Sequence, residues 1–156
     1  MSLKNQPRTE KDFKVLFESN EAWATLQITS PDGNPSQVTD ELGCQPDRTV
    51  LNDSALKLEG LDLGIAKRSS WILSSKQKVS GSDCATHITW ILNQIRAKHG
   101  VAALKEKNWS FKICLEYKLA TLDFFDDLPV AIINQLSELG IPLQLAHSFN
   151  REEVLS

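Results

Sequence analysis

Cys84 and His87 are the clearest pair of potential metal ligands, because they lie three residues apart in a segment with helical periodicity. Side chains at this spacing share one face of a helix and can reach the same ion. A structural zinc site needs four ligands, however, and no second Cys or His pair stands at metal-binding spacing. We therefore expect both side chains to pack in the interior, and we predict no metal site and no cofactor.

The run Asp123-Phe124-Phe125-Asp126-Asp127 brings three carboxylates together ahead of Pro129. Such a trio can bind calcium or act as general acid and base. Here the spacing lacks the glycine and the distal glutamate of a calcium loop. Capping of a helix N-terminus is the expected role of these carboxylates.

Common catalytic motifs are missing from the sequence. It holds no GxGxxG, GxxxxGK[ST], GxSxG or HExxH pattern, so nucleotide binding, esterase and zinc-protease chemistry have no support. His147 alternates with Leu143 and Leu145, which is typical of a structural histidine at the edge of an apolar layer. We predict no catalytic residue.

Composition restricts the class of protein. With 156 residues there is room for one domain with a sizeable core, and we assign 1–20 to an N-terminal arm, 21–150 to a single α+β domain and 151–156 to a tail. A net charge of −3 without a dense basic stripe argues against nucleic-acid binding, and no apolar run is long enough to span a membrane. Three cysteines without a CxxC pair indicate a reducing, cytoplasmic setting.

The elements that position these residues begin with a short strand and a well-marked helix. Apolar and polar side chains alternate from Ala22 to Thr29, the period of a half-buried strand. Asn34 then offers an N-cap oxygen, Pro35 suits the first helical position, and Gly43 provides a left-handed stop.

The rest of the chain alternates strands and helices. We predict an irregular hairpin within the connection 44–70, a strand at 71–75, a helix from 83 to 99 ended by Gly100, a strand at 109–118, a helix from Pro129 to Gly140, and a closing strand at 141–149. This order predicts an α+β two-layer sandwich with a four- to five-stranded, largely antiparallel sheet and helices on one face.

The second sheet face is predicted to be polar with one aromatic side chain. Its members come from the first strand and from the strand at 109–118: Trp23, Thr25, Gln27, Lys112, Cys114, Glu116 and Lys118. This face is either solvated or a platform for a ligand, a base or a second subunit. Both alternatives remain open at this stage.

Trp90 departs from the pattern of its helix. At 100° per residue it lies roughly 200° from Ile88, opposite the apolar stripe. A tryptophan on a polar face needs a cover, and two are available. The apolar patch Phe13–Phe17 could fold over it, or Trp90 could anchor a partner chain.

Several motifs together carry a family resemblance. The segments ELGCQPDRT, SSWILSS, WSFKICLEY and LPVAIINQLSELGIPLQLAHSF, in this order, resemble the bacterial family 4279 of domains of unknown function over roughly residues 22–149. The turn Val50–Asp53 departs from the basic turn typical of that family. The resemblance implies a ferredoxin-like fold and supplies no catalytic residues.

Two classes of function remain. The first is a binding or interaction module without a catalytic site, which acts as a homodimer or with a protein partner. Its most specific form is an immunity-type protein that neutralises a toxin. Its contact candidates are Trp23, Trp90, Lys112 and Glu116. The alternative is a small-molecule-binding or enzymatic domain with a site between the 44–70 connection and the sheet, drawing on Asp53, Cys114 or His147.

Overall fold

The computed structural model describes residues 21–95, 98–119 and 126–149, and these form an α+β fold. The described elements are β1 (Glu21–Ser30), α1 (Ser36–Leu42), β2 (Arg48–Val50), β3 (Ala55–Leu58), β4 (Leu61–Ile65), β5 (Ser69–Ser74), α2 (Cys84–Gln94), α3 (Lys98–Glu106), β6 (Ser110–Leu119), α4 (Val130–Leu139) and β7 (Leu143–Phe149). The α+β class predicted from the alternating patterns is confirmed. No described helix is long and apolar enough to cross a membrane.

Five of the strands form one mixed sheet in the order β2-β5-β1-β6-β7. The central strand β1 is antiparallel to both β5 and β6, and β2 is antiparallel to β5. Only the β6–β7 pair in this sheet is parallel, because the chain returns through α4 before it forms β7. The sheet is therefore largely but not purely antiparallel. This topology does not by itself establish a ferredoxin-like arrangement, which stays a prediction.

The core lies between one face of the sheet and a single layer of helices. Alternate residues of β1, among them Leu26 and Ile28, are completely buried. The other core residues come from the same sheet face and from all four described helices; they include Val38, Leu42, Trp71, Leu73, Ile88, Ile91, Val101, Leu104, Ile113, Leu115, Ile132 and Leu136. The two-layer packing follows directly from the period-two pattern of the strands.

The boundaries of α1 lie close to the predicted capping residues. Asn34 Oδ1 accepts a hydrogen bond of 3.0 Å from the Ser36 N–H, and the helix begins at Ser36. Gly43 ends it with φ +72°, and its N–H donates to the Thr39 carbonyl. The predicted stop is confirmed. The N-cap residue is Pro35 and not Asn34 as predicted, because the helix begins one residue later than expected, and Asn34 bonds to the first turn from the position before the N-cap.

The long helix predicted over 83–99 is wrong at its C-terminal end. In the structure α2 ends at Gln94, and Gly100 lies inside the next helix, α3. A Cβ atom at Gly100 would lie 2.5 Å from the carbonyl oxygen of Glu41 in α1. The glycine is therefore required for the close approach of two helices rather than for a helix stop.

The connection 44–70 contains the expected irregular hairpin. Strands β3 and β4 pair antiparallel, with a register shift between Leu56 and Lys57. Their turn places Glu59 and Gly60 in the left-handed region, at φ +51° and +81°. The hairpin is a separate two-stranded sheet, and the edge strand β2 precedes it.

Candidate functional site

Trp23 and Glu116 form the centre of a polar cluster on the sheet face opposite the helices. The two residues are direct neighbours in the β1–β6 register. The indole Nε1–H of Trp23 donates to Glu116 Oε2, and Thr25 Oγ1 donates to the same oxygen at 3.2 Å. Two donors therefore hold the carboxylate in one orientation on the sheet surface.

Lys76 completes this cluster from the turn that follows β5. Its Nζ lies 4.3 Å from the centroid of the Trp23 ring, within the range of a cation–π interaction. We call Trp23, Thr25, Lys76 and Glu116 the Trp23 cluster. It presents an aromatic ring between a cation and a carboxylate, a combination that suits recognition of a mixed polar and apolar surface.

The same face continues from the Trp23 cluster along β6. Lys112 lies opposite Gln27, and both side chains are half-buried. The Cys114 thiol donates to Gln144 Oε1 at 3.7 Å. Burial raises the pKa of the Cys114 thiol, although nearby Lys112 opposes this shift, so the thiolate that would act as a nucleophile is disfavoured.

Within the described residues, no helix covers this face, because each of the four described helices packs on the other side of the sheet. Thr25 and Cys114 are only 8% exposed, since larger neighbours on the same face shield them. Trp23, Gln27, Lys112 and Glu116 remain half-buried. The predicted platform is thus a continuous surface of buried and half-buried side chains.

Trp90 lies apart from this platform, in the helix layer. It is half-buried and packs at the margin of the core. Lys78 Nζ lies 5.3 Å from its ring centroid, and the same ammonium group pairs with Asp47. Among the described residues Lys78 is thus a cover for Trp90, whereas the proposed cover Phe13–Phe17 lies outside the described residues.

His87 has a structural environment. It is 1% exposed, and its Nδ1 lies 2.6 Å from Ser75 Oγ. Nε2 lies 3.0 Å from the Gly81 carbonyl oxygen, which can only accept, so Nε2 carries the proton and Nδ1 accepts from the Ser75 hydroxyl. Ser75 Oγ in turn accepts from the Ala24 N–H at 2.9 Å. Both ring nitrogens are therefore committed to internal hydrogen bonds.

Cys84 contacts different groups from His87 and lies beside the Asp126 carboxylate. Asp126 Oδ2 accepts from the Cys84 N–H at 2.8 Å and from the Tyr117 hydroxyl at 2.9 Å. Burial raises the pKa of the Cys84 thiol, and it also raises the pKa of Tyr117 above its usual range. The described residues contain no group of three or more side chains able to hold a metal ion.

The role of the acidic run differs in one respect from the prediction. Asp126 caps a helix N-terminus, but that helix is α2, whose first residue is Cys84, and not the nearby α4. The reason is that Asp126 lies beside the first residue of α2 in the folded chain, although it is 42 residues from Cys84 in sequence. Asp123 lies outside the described residues.

The residues suggested for an alternative site are not brought together. Cys114 pairs with Gln144 and His147 pairs with Tyr117, so Cys114 and His147 point to opposite faces of the sheet. Asp53 lies beyond β2, at the other edge. An open groove of about 670 Å³ does lie between β2 and the hairpin, lined by Arg48 to Leu51, Ser54 to Lys57, and Leu63.

Sequence reasoning missed Lys76, Ser75 and the capping role of Asp126 on α2. Lys76 follows a predicted strand directly, but its contact with Trp23 depends on the pairing of β5 with β1. Alternation indicates which face a side chain occupies and does not indicate which strand is adjacent. No local signal could therefore have identified these three contacts.

Comparison with known protein families identifies the family of the chain. A family model described as "Domain of unknown function (DUF4279)" matches residues 19–150, most of the chain. The chain belongs to this family. Searches of curated proteins and of solved structures find no match. The family resemblance read from the sequence motifs is confirmed, and DUF4279 membership assigns no chemistry to the Trp23 cluster or to the groove.

Proposed function

We propose that this DUF4279 chain is a binding module without a catalytic site, which docks a protein partner on the sheet face that carries the Trp23 cluster. The observation that supports this proposal is Trp23 itself, held half-buried between Lys76 and Glu116. Tryptophan is enriched at interface hot spots, and a side chain already held in place loses little conformational entropy on binding.

The chemistry of the buried groups supports a role in binding over a role in catalysis. Ser75 and His87 resemble a catalytic dyad, but they are only 0% and 1% exposed. Each is also hydrogen-bonded to the backbone, Ser75 to the Ala24 N–H and His87 to the Gly81 carbonyl. The raised pKa values of the Cys84 and Cys114 thiols disfavour nucleophilic chemistry. The most chemically active residue types are thus used for packing.

Within this class we propose an immunity-type role in the bacterial cytoplasm, in which the module binds and neutralises a toxin. The toxin-neutralising part rests on analogy with other small acidic α/β domains. The chain carries a net charge of −3, and the Cys84 and Cys114 thiols are free, which suits a reducing compartment.

The test uses the products of the genes adjacent to this one as binding partners. Each is purified and titrated calorimetrically with the intact chain, with Trp23→Ala and with Val130→Ala, a control at an exposed apolar position in the helix layer. We expect one product to bind and Trp23→Ala to weaken binding by about tenfold or more, with the control within about twofold. Wild-type affinity in Trp23→Ala would refute docking on this face, and absence of toxicity in the bound product would refute the immunity role.

A second candidate function is supported by the groove between β2 and the hairpin. Two cationic residues, Arg48 and Lys57, line it, and its lining contains no carboxylate. This composition suits a small anionic ligand, whether the domain only binds it or acts on it. Thermal denaturation with citrate and with inorganic phosphate tests this candidate: an increase in Tm that Arg48→Ala abolishes supports it, and an unchanged Tm with both anions argues against it.

A further inference from the structure

The sheet face that carries the Trp23 cluster holds more cations than carboxylates. Its charged members lie on β1, β2 and β6 and in the turn after β5: Arg48, Lys76, Lys112, Lys118, Glu21 and Glu116. The face thus has four cations and two carboxylates among the described residues. Because the whole chain carries a net charge of −3, the charge of this face is opposite in sign to that of the protein.

Both carboxylates on this face are matched by groups of the same face. Glu116 already accepts hydrogen bonds from Trp23 and Thr25. Glu21 is the direct neighbour of Lys118 at the first position of β1, and opposite charges at paired positions offset each other. The net charge that the face presents to a partner therefore comes from its three remaining cations.

Those three cations, Arg48, Lys76 and Lys112, form no ion pair within the described part of the chain. Arg48 and Lys112 lie in one row across the sheet, with Ile72 and Gln27 between them. Three strand spacings separate their backbones, about 14 Å. This distance exceeds the Debye length of about 8 Å at physiological salt, so each cation requires its own negative group. A single small anion cannot satisfy both.

Apolar surface lies between the three cations. Ile72 is half-buried within the row that joins Arg48 to Lys112. Trp23 lies two rows away on the same face, about 13 Å along β1, with Lys76 over its ring. An aromatic and an aliphatic side chain framed by charges are typical of a protein–protein contact, in which the centre is apolar and the rim is charged.

We propose that the partner of this face is a protein with an acidic contact surface, whose carboxylates pair with Arg48, Lys76 and Lys112. The inference rests on the proposed function and names the chemistry of its partner. Carboxylates suit these cations because arginine binds them through two parallel hydrogen bonds and lysine attracts them as a point charge. The same three residues repel a partner with a basic contact surface, so they also select against wrong partners.

The spacing of the cations favours an acidic protein over a nucleic acid. A nucleic acid is bound by a dense track of cations that follows its phosphates. Here the backbones of the three cationic residues form an open triangle with sides of about 13 Å or more, and the chain as a whole is acidic. Carboxylates placed individually on a folded partner can match such a triangle.

The first experiment selects short random peptides, displayed on phage, against the purified full chain. We expect the selected peptides to be enriched in Asp and Glu. Their affinity should fall as the salt concentration rises from about 0.1 to about 1 M, because the Debye length decreases from about 10 to about 3 Å. Trp23→Ala should weaken the binding of these peptides by about tenfold or more, which locates them on this face.

The second experiment titrates a selected acidic peptide calorimetrically against charge variants. Lys112→Glu should weaken binding about fivefold or more at about 0.1 M salt and less than about twofold at about 1 M. Lys112→Arg keeps the charge and should stay within about twofold of wild type. Lys67→Glu makes the same change of charge in the exposed turn before β5, and this matched control should also stay within about twofold. Lys76→Glu, at an exposed position, repeats the test if Lys112→Glu lowers stability.

The outcomes distinguish an acidic partner from its alternatives and from the immunity role. Selection of basic or uncharged peptides, or of none that depends on Trp23, refutes an acidic partner. Labelled single-stranded DNA that binds the chain and loses affinity with Lys112→Glu would assign the cations to a nucleic acid instead. A neighbouring gene product that binds Lys112→Glu as well as wild type, but not Trp23→Ala, leaves the docking face intact and refutes the acidic contact. Acidic peptides that depend on Lys112, without binding of any neighbouring gene product, support the acidic contact and contradict the immunity role.

Discussion

Trp23 and Glu116 are 93 residues apart in the chain, yet the indole N–H of one donates to the carboxylate of the other across strands β1 and β6. The contact exists because these residues are direct partners in the antiparallel register. It orders a tryptophan on a face that no described helix covers, while Trp71 is completely buried in the core. The two tryptophans should therefore differ in their contribution to stability.

Trp71→Ala should lower the free energy of unfolding by about 3–5 kcal/mol, because it leaves a large cavity and removes a hydrogen bond of 3.0 Å to Thr39. Trp23→Ala should cost about 1.5 kcal/mol or less, because its ring is already in partial contact with water. Urea unfolding of both variants measures the difference. Equal losses would show that the platform is covered by another part of the chain.

Ser75→Ala should destabilise the protein by about 3 kcal/mol. The substitution leaves the buried Ala24 N–H and His87 Nδ1 without their partner, and each unsatisfied group costs about 1–3 kcal/mol. Ser70→Ala, at a half-buried position in β5, the strand that ends just before Ser75, is the matched control and should change stability by about 0.5 kcal/mol. A Ser75→Ala loss no greater than the control would contradict the buried network.

Gly100→Ala should destabilise the chain, although the same change in an ordinary helix stabilises it by about 1 kcal/mol. The added methyl group would collide with the Glu41 carbonyl and force α3 away from α1, at a cost of about 1–3 kcal/mol. Ala102→Gly, at an exposed position of α3, reports the intrinsic propensity and should cost about 1 kcal/mol. Higher thermal stability of Gly100→Ala would disprove the close helix contact.

The N-cap residue Asp83 should make the free energy of unfolding depend on pH in the acidic range. Its carboxylate accepts hydrogen bonds from the Thr86 hydroxyl and N–H, at 2.6 and 3.0 Å, and these bonds hold its pKa below the usual range. Because the folded pKa is lowered, the stabilisation is complete above the unfolded value of about 3.9 and is lost as the pH falls through the folded value.

Asp83→Ala should therefore cost about 1 kcal/mol at pH 7, the typical value of an N-cap, and progressively less below about pH 4. Chemical unfolding of both proteins at several pH values between about 2.5 and 7 measures this difference. Asp32→Ala, at an exposed position in a loop, controls for the change in net charge. A difference that stays constant down to the lowest pH would contradict the assignment of Asp83 as a charged cap.

Local patterns predicted most of the elements correctly. Alternation located β1 and β6, and Asn34 with the stop at Gly43 located α1, because these signals act within a few residues. The predicted C-terminal end of this helix was wrong because a glycine can either end a helix or allow a close contact between two helices. Only the position of Glu41 in the folded chain distinguishes these two roles.

The candidate site could be predicted only in part. Trp23, Lys112 and Glu116 were assigned to one face from periodicity alone, and the structure places them there. Lys76 was not anticipated, because it joins the cluster through the pairing of β5 with β1. The exposure of the hairpin leucines was also unpredictable, since alternating leucines suggest burial unless the neighbouring elements are known.

By itself the sequence determined the family, the α+β class, the boundaries of most elements and the face on which each strand residue lies. These properties depend on interactions between residues close together in the chain, where the period of the pattern is sufficient. The tertiary structure decided the strand order, the partners of Trp23 and His87, the helix that Asp126 caps and the isolation of the hairpin. Those contacts join residues far apart in sequence, and their geometry depends on how the helices and strands pack together.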